Sequence, residues 1–469
     1  MVFTEFRFIP FFLIVFFVSW LIKKNDSRKI WLTLCSYCFY GIWDWRFLSL
    51  IVGSTVIDYT VGLMLSKSLS NRSRKAWLSV SLVANLGILG FFKYYNFFAD
   101  SAADFFNFLG IPFSSTTLNI VLPVGISFYT FQTMSYSIDV YFKKLEARQK
   151  FLDLAFFVAF FPQLVAGPIV RAAEFLPQLD SPRYFQLVKF RSCLVLLIIG
   201  FFKKACISDN LAPIIDQYFS MPENYTVLSS WIGVLSYAVQ IYCDFSGYSD
   251  MAIACAGLLG YKLCLNFDFP YFASSITDFW RRWHISLSSW LKDYLYIPLG
   301  GNRGTKLFTY RNLMLTMLLG GLWHGAAWNF VIWGGLHGIA LIVHREWSQY
   351  FCSHNLLFRR AMTFFNPILT FYWVCIAWIF FRAADLSTSI TIFKSFVFFQ
   401  TSGLQELNSN LLWLLVALVI AHWLFYQNVV TNWWHRISSE MFATIYGFSV
   451  AAILTLVPTG YTPFIYFQF

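Results

Sequence analysis

The chain reads as apolar runs of the ~17–25 residues that cross a bilayer, punctuated by short polar loops. After a first run at 8–22, stretches 30–43 and 47–65 predict a membrane hairpin bent at Asp44-Trp45-Arg46, and 76–92 a return crossing. Stretch 94–118 mixes aromatic and polar residues and predicts a segment lying on the membrane surface. The run 121–142 goes back in although it carries Gln132, Ser135, Ser137 and Asp139. Pro162, Gly167 and Pro168 inside 151–170 predict a broken or re-entrant helix, because irregular backbone at that depth needs cover from protein or water. A short run at 191–202 ends in Lys203-Lys204; 229–260 holds one span or two, interrupted by YCDFSGYSD (242–250). The least hydrophobic part, 261–311, contains one amphipathic helix, FWRRWHISLSSWLKDYL; the run 312–343 follows, then spans near 367–381, 411–425 and 442–457. The pattern amounts to roughly ten to twelve crossings in one polytopic domain, 1–469, with no repeat or linker.

Composition removes the soluble classes. The chain is 58% hydrophobic and 12% charged, against ~45–50% and ~25% in soluble domains. It therefore reads as an all-α integral membrane protein. Its net charge of +11 follows from Lys and Arg gathering in cytoplasmic loops, not from nucleic-acid binding. Basic loops at 23–29, 67–75 and 143–150 fall at alternate crossings and place the N-terminus outside the cell. The run 8–22 lacks the flanks and cleavage site of a removable signal. Cys35 and Cys38 form a CxxC inside a span with no second ligand pair, so reduced thiols and no metal are expected.

Candidate chemistry centres on 312–337, NLMLTMLLGGLWHGAAWNFVIWGGLH. In one continuous helix, Gly320 and Gly321 stand at i−4 and i−3 of His324 and leave a hole beside its imidazole. An ionisable group at membrane depth is costly and faces a bundle interior or water-filled cavity. The ring is then a catalytic base or a packing residue bonded to a neighbouring helix. His337, thirteen residues later, points away from that face at ~100° per residue. His284 lies in TDFWRRWHISLSSW with Arg281 at i−3, while Asp278 and Arg282 form an i,i+4 pair. His422 reads as structural, and His344, His354 and His435 as interfacial. No GxSxG, HExxH or phosphate-loop spacing occurs. By elimination, the chemistry suits a histidine base activating a hydroxyl toward an acyl donor.

Five stretches, LPVGISFYTFQTMSYSIDVY (122–141), FFPQLVAGPIVR (160–171), YCDFSGYSDMAIACAGLLGY (242–261), DFWRRWHISLSSWLKDYLYIPLGGNR (278–303) and LGGLWHGAAWNFVIWGGLHG (319–338), together resemble the membrane-bound O-acyltransferase (MBOAT) family, in its bacterial alginate O-acetylation branch. The resemblance implies a funnel or ring of about eleven transmembrane helices with re-entrant and interfacial helices, the invariant histidine at His324 and a second polar site residue at His284. It implies cytoplasmic acetyl-CoA as donor and an extracytoplasmic polysaccharide as final acceptor. The ending YTPFIYFQF is similar to a motif of D-alanylation relatives whose tyrosine carries the acyl group transiently, which makes Tyr466 the relay; a frayed hydrophobic tail is the alternative.

The expectation is an acetyltransferase of the cell inner membrane for O-acetylation of alginate, a similar exopolysaccharide or peptidoglycan. His324 is its base, His284 handles protons or positioning, and Arg281 and Arg282 attract CoA unless they anchor to lipid headgroups. A polymer does not enter such a pocket, so an SGNH-type extracytoplasmic transferase is the expected partner. Segment 261–311 is then cytoplasmic or re-entrant, 312–343 the catalytic-histidine region and 458–469 the tyrosine tail. The rivals are D-alanyl transfer to teichoic acid, and a transporter lined by the same polar residues.

Overall fold

The computed structural model describes residues 1–350, 356–427, 429, 433–460 and 464–465, with side chains outside 356–361. Its architecture is all-helical. Among the described residues, four helical stretches, Asn25–Lys67, Asn71–Phe108, Met362–Arg382 and Ser439–Leu456, are long and apolar enough to cross a membrane. Helix Asn410–Tyr426 leaves Trp413, Val416, Val419, Ile420 and Trp423 exposed, an apolar face suited to lipid tails. Helix Leu386–Phe398 was not foreseen, because its threonines and serines dilute the apolar run.

The described chain forms two compact units, Met1–Cys193 with Met251–Cys264, and Leu194–Asp250 with Leu265–Phe469. In the first, the bend foreseen at Asp44 is present: helix Asn25–Asp44 ends there and Leu48–Lys67 follows a 3-10 turn. The Asp44 carboxylate caps that turn by accepting from the Arg46 amide and holds the Arg46 guanidinium at 2.6 Å. Segment 151–164 is broken as expected, into Phe151–Ala159 and Phe161–Leu164, and is buried from Asp153 onward. The amide of Phe161, freed by the break, donates to Ser36 Oγ at 3.1 Å, so the irregular backbone is satisfied by protein. Gly125, at φ +74°, starts the next-packed helix: a Cβ there would lie 2.7 Å from the Leu164 carbonyl oxygen.

Helix Ile126–Tyr141 is buried around its whole circumference except at Tyr141. Its polar residues face protein, and one of them completes a three-helix junction. Asp58 accepts from Ser81 Oγ, from Ser137 Oγ at 2.5 Å and from Asn85 Nδ2 at 2.8 Å. A buried polar group is tolerated when every neighbour has a partner, and removing the shared acceptor orphans all the donors at once. Asp58→Leu is therefore expected to cost on the order of 3–5 kcal/mol, read as a lowered unfolding midpoint in detergent. An unchanged midpoint would show that the junction contributes nothing. Lys29 pairs with Asp153 at 2.5 Å, both buried, and Arg28 donates to the Ser19 carbonyl. Of the basic residues at 23–29, these two are committed inside the protein and only Lys23 and Lys24 remain as loop charges. All described cysteines are free thiols.

Two expected elements later in the chain differ. Val227–Leu258 is one uninterrupted helix of 32 residues through YCDFSGYSD. Gly247 does not break it; a Cβ there would meet the Gly200 carbonyl oxygen at 2.6 Å, so the glycine serves close backbone approach. The run 312–337 is two helices, Lys306–His324 and Trp328–Tyr350, joined through Gly325 in extended conformation.

Candidate functional site

The hairpin of Lys306–His324 against Trp328–Tyr350 is built on reciprocal glycines. A Cβ on Gly321 would overlap the Phe330 carbonyl oxygen, and one on Gly334 would overlap that of Met317. Small residues here let the backbones touch. The hole expected beside His324 is thus filled: Gly321 faces the backbone of the second helix, and a Cβ on Gly320 would meet Leu291 at 3.1 Å. Continuous-helix geometry does not apply once the chain reverses at 325–327.

That reversal puts His324 at the last position of its helix, buried beside its neighbour Trp323 and among the rings of Trp333 and Phe381, at 5.0 and 5.3 Å between centroids. It also returns His337 to the site, contrary to the angular expectation. Trp333 stands 4.8 Å from His337, so one indole separates the two imidazoles. His337 is buried, with Trp280 at 5.0 Å, and the described residues offer neither ring nitrogen a hydrogen-bond partner.

His284 is held by a break that sequence periodicity does not predict. The expected amphipathic helix is two short ones, Ile276–Arg282 and Ile285–Leu291, with His284 between them at φ 43°. Left-handed backbone at a non-glycine residue is uncommon and is retained where surroundings over-determine it. Here Ser275 caps the first helix by accepting from Asp278 N, and Arg282 pairs with Asp278 at 3.0 Å, the i,i+4 pair expected. The Asp268 amide donates to the Arg282 carbonyl and the Ile285 amide to that of Asn266, gripping the chain on both sides of the break.

The Asn266 side chain fixes the imidazole. Its Oδ1 accepts from the Ser286 amide and hydroxyl at 3.3 and 2.8 Å and lies 3.1 Å from His284 Nδ1; its Nδ2 donates to Ser249. Because Oδ1 only accepts, Nδ1 carries the proton in the neutral ring and Nε2 keeps its lone pair. His284 is fully buried, edge-on to Phe245 at 4.6 Å and 6.1 Å from Trp323. His284 and His324 thus share the Trp323 indole as a neighbour, the latter at 4.9 Å. Arg282 is committed to Asp278, and Arg281 is exposed. His344 Nδ1 lies 3.0 Å from Thr277 Oγ1, and His422 packs on Tyr242, Phe269 and Phe272.

Tyr466 lies outside the described residues. The two before it are buried: Phe464 packs on Tyr248 at 5.0 Å and Phe245 at 6.0 Å, and the Ile465 amide donates to Asp244 Oδ2 at 2.7 Å. Asn266 and Asp244 were not singled out by sequence reasoning, and His337 was set aside on its angle from His324. For Asp244 a signal existed, a carboxylate within a long apolar helix.

The membrane-bound O-acyltransferase family model matches residues 144–384. The chain is 43% identical over 429 residues to the "Probable alginate O-acetylase AlgI" of Pseudomonas aeruginosa, covering 90% of this chain and 80% of that protein. It is 40% identical over 420 residues to the "Peptidoglycan O-acetyltransferase" of Helicobacter pylori, covering 84% and 78%. Similarity to the "Teichoic acid D-alanyltransferase" of Bacillus subtilis is 27% over 274 residues, covering 55% and 68%. With an all-helical fold and a histidine-lined aromatic centre, the chain belongs to the membrane-bound O-acyltransferase family and is an O-acyltransferase.

Proposed function

We propose that this membrane protein passes acetyl from cytoplasmic acetyl-CoA across the bacterial inner membrane for O-acetylation of an extracytoplasmic polysaccharide, alginate or peptidoglycan among the candidates. The whole chain, 1–469, acts as one catalytic domain with its N-terminus outside. The observation that carries the reading is that His284 and His324 both pack near the Trp323 indole, within the unit that buries Phe464 and Ile465. Acetyl is favoured over D-alanyl because the relatives similar over most of the chain carry O-acetylase names, whereas the D-alanyltransferase matches over about half.

The chemistry starts from a phenol of ordinary pKa ~10, which needs a base to attack a thioester at neutral pH. His324 takes the Tyr466 hydroxyl proton as the phenolic oxygen bonds to the acetyl carbonyl carbon. The carbon–sulfur bond breaks, and CoA leaves as a thiolate that recovers the proton. His284, with Nε2 unprotonated, is the second proton acceptor. The aryl ester is itself activated: the serine oxygen of an SGNH-type extracytoplasmic partner bonds to its acetyl carbon, and the ester C–O bond breaks. The leaving phenolate takes up the serine proton to restore Tyr466, and the partner delivers the acetyl to the polymer. Arg281, being exposed, is available to attract anionic CoA; Arg282, already paired with Asp278, contributes less.

Radiolabelled acetyl-CoA offered to the purified protein with its partner tests this. Label is expected on the C-terminal peptide of the wild type and on the acceptor. Tyr466→Phe keeps the ring and removes the hydroxyl, so the tail label disappears and product falls. Normal product from that variant would reject the relay, and no label on any species under turnover conditions would reject acetyl-CoA as donor.

A further inference from the structure

The binding of the C-terminal segment has a chemical logic of its own. Next to Gly247, the chain between residues 202 and 208 forms a π-helical turn. The widened turn presents two consecutive lysines to one helix: Lys204 meets Asp244 at 2.6 Å and Lys203 meets Asp250 at 2.8 Å. Those carboxylates stand three residues before and after Gly247, on the same face, and π-helical turns recur at functional sites. Lys204 also reaches Asp209 at 2.7 Å, so one buried ammonium serves two carboxylates.

With all three ionised, that cluster carries one negative charge in excess. Buried charge is costly unless donors compensate it, and Asp244 Oδ2 obtains one from the Ile465 amide. The neighbouring Phe464 ring is 2% exposed and lies against Tyr248 and Phe245. Phe245 in turn meets His284 edge-on. Backbone capture by a carboxylate, side-chain capture by two aromatic rings and continuity with the histidine are three separate observations at one place.

We propose that Asp244, oriented by Lys204, is a positioning residue that seats the C-terminal tail and sets how far the next residue, Tyr466, reaches toward the reacting centre. The functional half of this proposal rests on the relay reading of Tyr466; the seating does not. The tail behaves as a tethered peptide ligand held both through its backbone N–H and through the buried Phe464 and Ile465 side chains, so a test of the N–H must leave the side chain at 465 nearly intact.

Ile465→Pro deletes that donor without altering the lysine and carboxylate side chains, Ile465→Val keeps it with most of the buried side chain, and Asp244→Ala removes the acceptor. Hydrogen–deuterium exchange of the C-terminal peptide is measured on the full chain, alongside steady-state acetyl transfer. Ile465→Pro and Asp244→Ala are expected to speed tail exchange about tenfold, as loss of one bond of ~1.4 kcal/mol implies, and to lower kcat with the KM for acetyl-CoA unchanged. Ile465→Val, which loses a single methyl group, should show a clearly smaller effect. Should Asp244→Ala fail to fold, Ile465→Pro decides. Wild-type exchange and turnover in Ile465→Pro would overturn the proposal. Fast tail exchange with undiminished turnover, where Tyr466→Phe is inactive, would overturn the positioning role. Fast exchange in Ile465→Pro together with a fully active Tyr466→Phe would uphold the seating and reject the relay alone.

Discussion

His324→Ala is expected to lower acetyl transfer by about 10²–10⁴-fold, the usual contribution of a positioned general base, while the protein still inserts and runs as a monodisperse species. The stability cost is bounded by what the ring touches. Its neighbours Trp333 and Phe381 lose an edge-on contact, and the void left by a buried ring costs about 3–5 kcal/mol in comparable aromatic truncations. His324→Gln fills more of that space with a polar group and separates lost chemistry from lost packing. His284→Ala is the informative companion. Asn266 Oδ1 keeps two donors from Ser286 when the imidazole is gone, so the local fold survives and activity reports on Nε2. A larger loss in His284→Ala than in His324→Ala, with both proteins folded, would exchange the roles assigned to the two rings. Retained product in His324→Ala would remove it from the mechanism.

Much of the architecture was legible because local chemistry and tertiary context agree. Asp44 can cap, Pro162 and Gly167 interrupt a helix, and the structure puts a bend and a break there. The break at His284 was not legible, because RRWHI contains no glycine or proline and reads as continuous helix. Its cause lies outside the segment, in the backbone bonds to Asn266 and Asp268. The interruption read at 242–250, which contains Gly247, and the gap read at Gly321 gave the opposite error. Glycine in an apolar run signals either a gap or a close approach, and only the partner distinguishes them. At both positions the partner is another backbone, at Gly200 and Phe330. His337 was misplaced for the same reason, since angular arithmetic from His324 assumes a helix that the turn at 325–327 ends. The family motifs pointed to His284 and His324, whereas Asn266, which holds the His284 ring, sits in a stretch with no periodic signal.

The hairpin glycines give the second large effect. Gly334→Ala is expected to cost more in activity than in stability, although alanine is the better helix former by about 1 kcal/mol. A methyl at this position would overlap the Met317 carbonyl oxygen, a backbone atom that has no rotamer to change. The two helices must then separate, at an overpacking cost of about 1–3 kcal/mol or more. Gly335 is the control one residue away: a Cβ there would sit 3.6 Å from Leu318 Cδ2, an ordinary contact with the end of a side chain. Gly335→Ala should therefore hold or slightly raise the unfolding midpoint, whereas Gly334→Ala lowers it by several degrees. The catalytic consequence follows from Trp333, which precedes Gly334 and stands between His324 and His337. Moving that helix shifts Trp333 against His324, and displacements near 1 Å at a reacting centre cost about a hundredfold. Turnover measured at a temperature where both variants stay folded isolates this effect. Equal activity in the two variants would mean that the close approach of these helices serves stability alone.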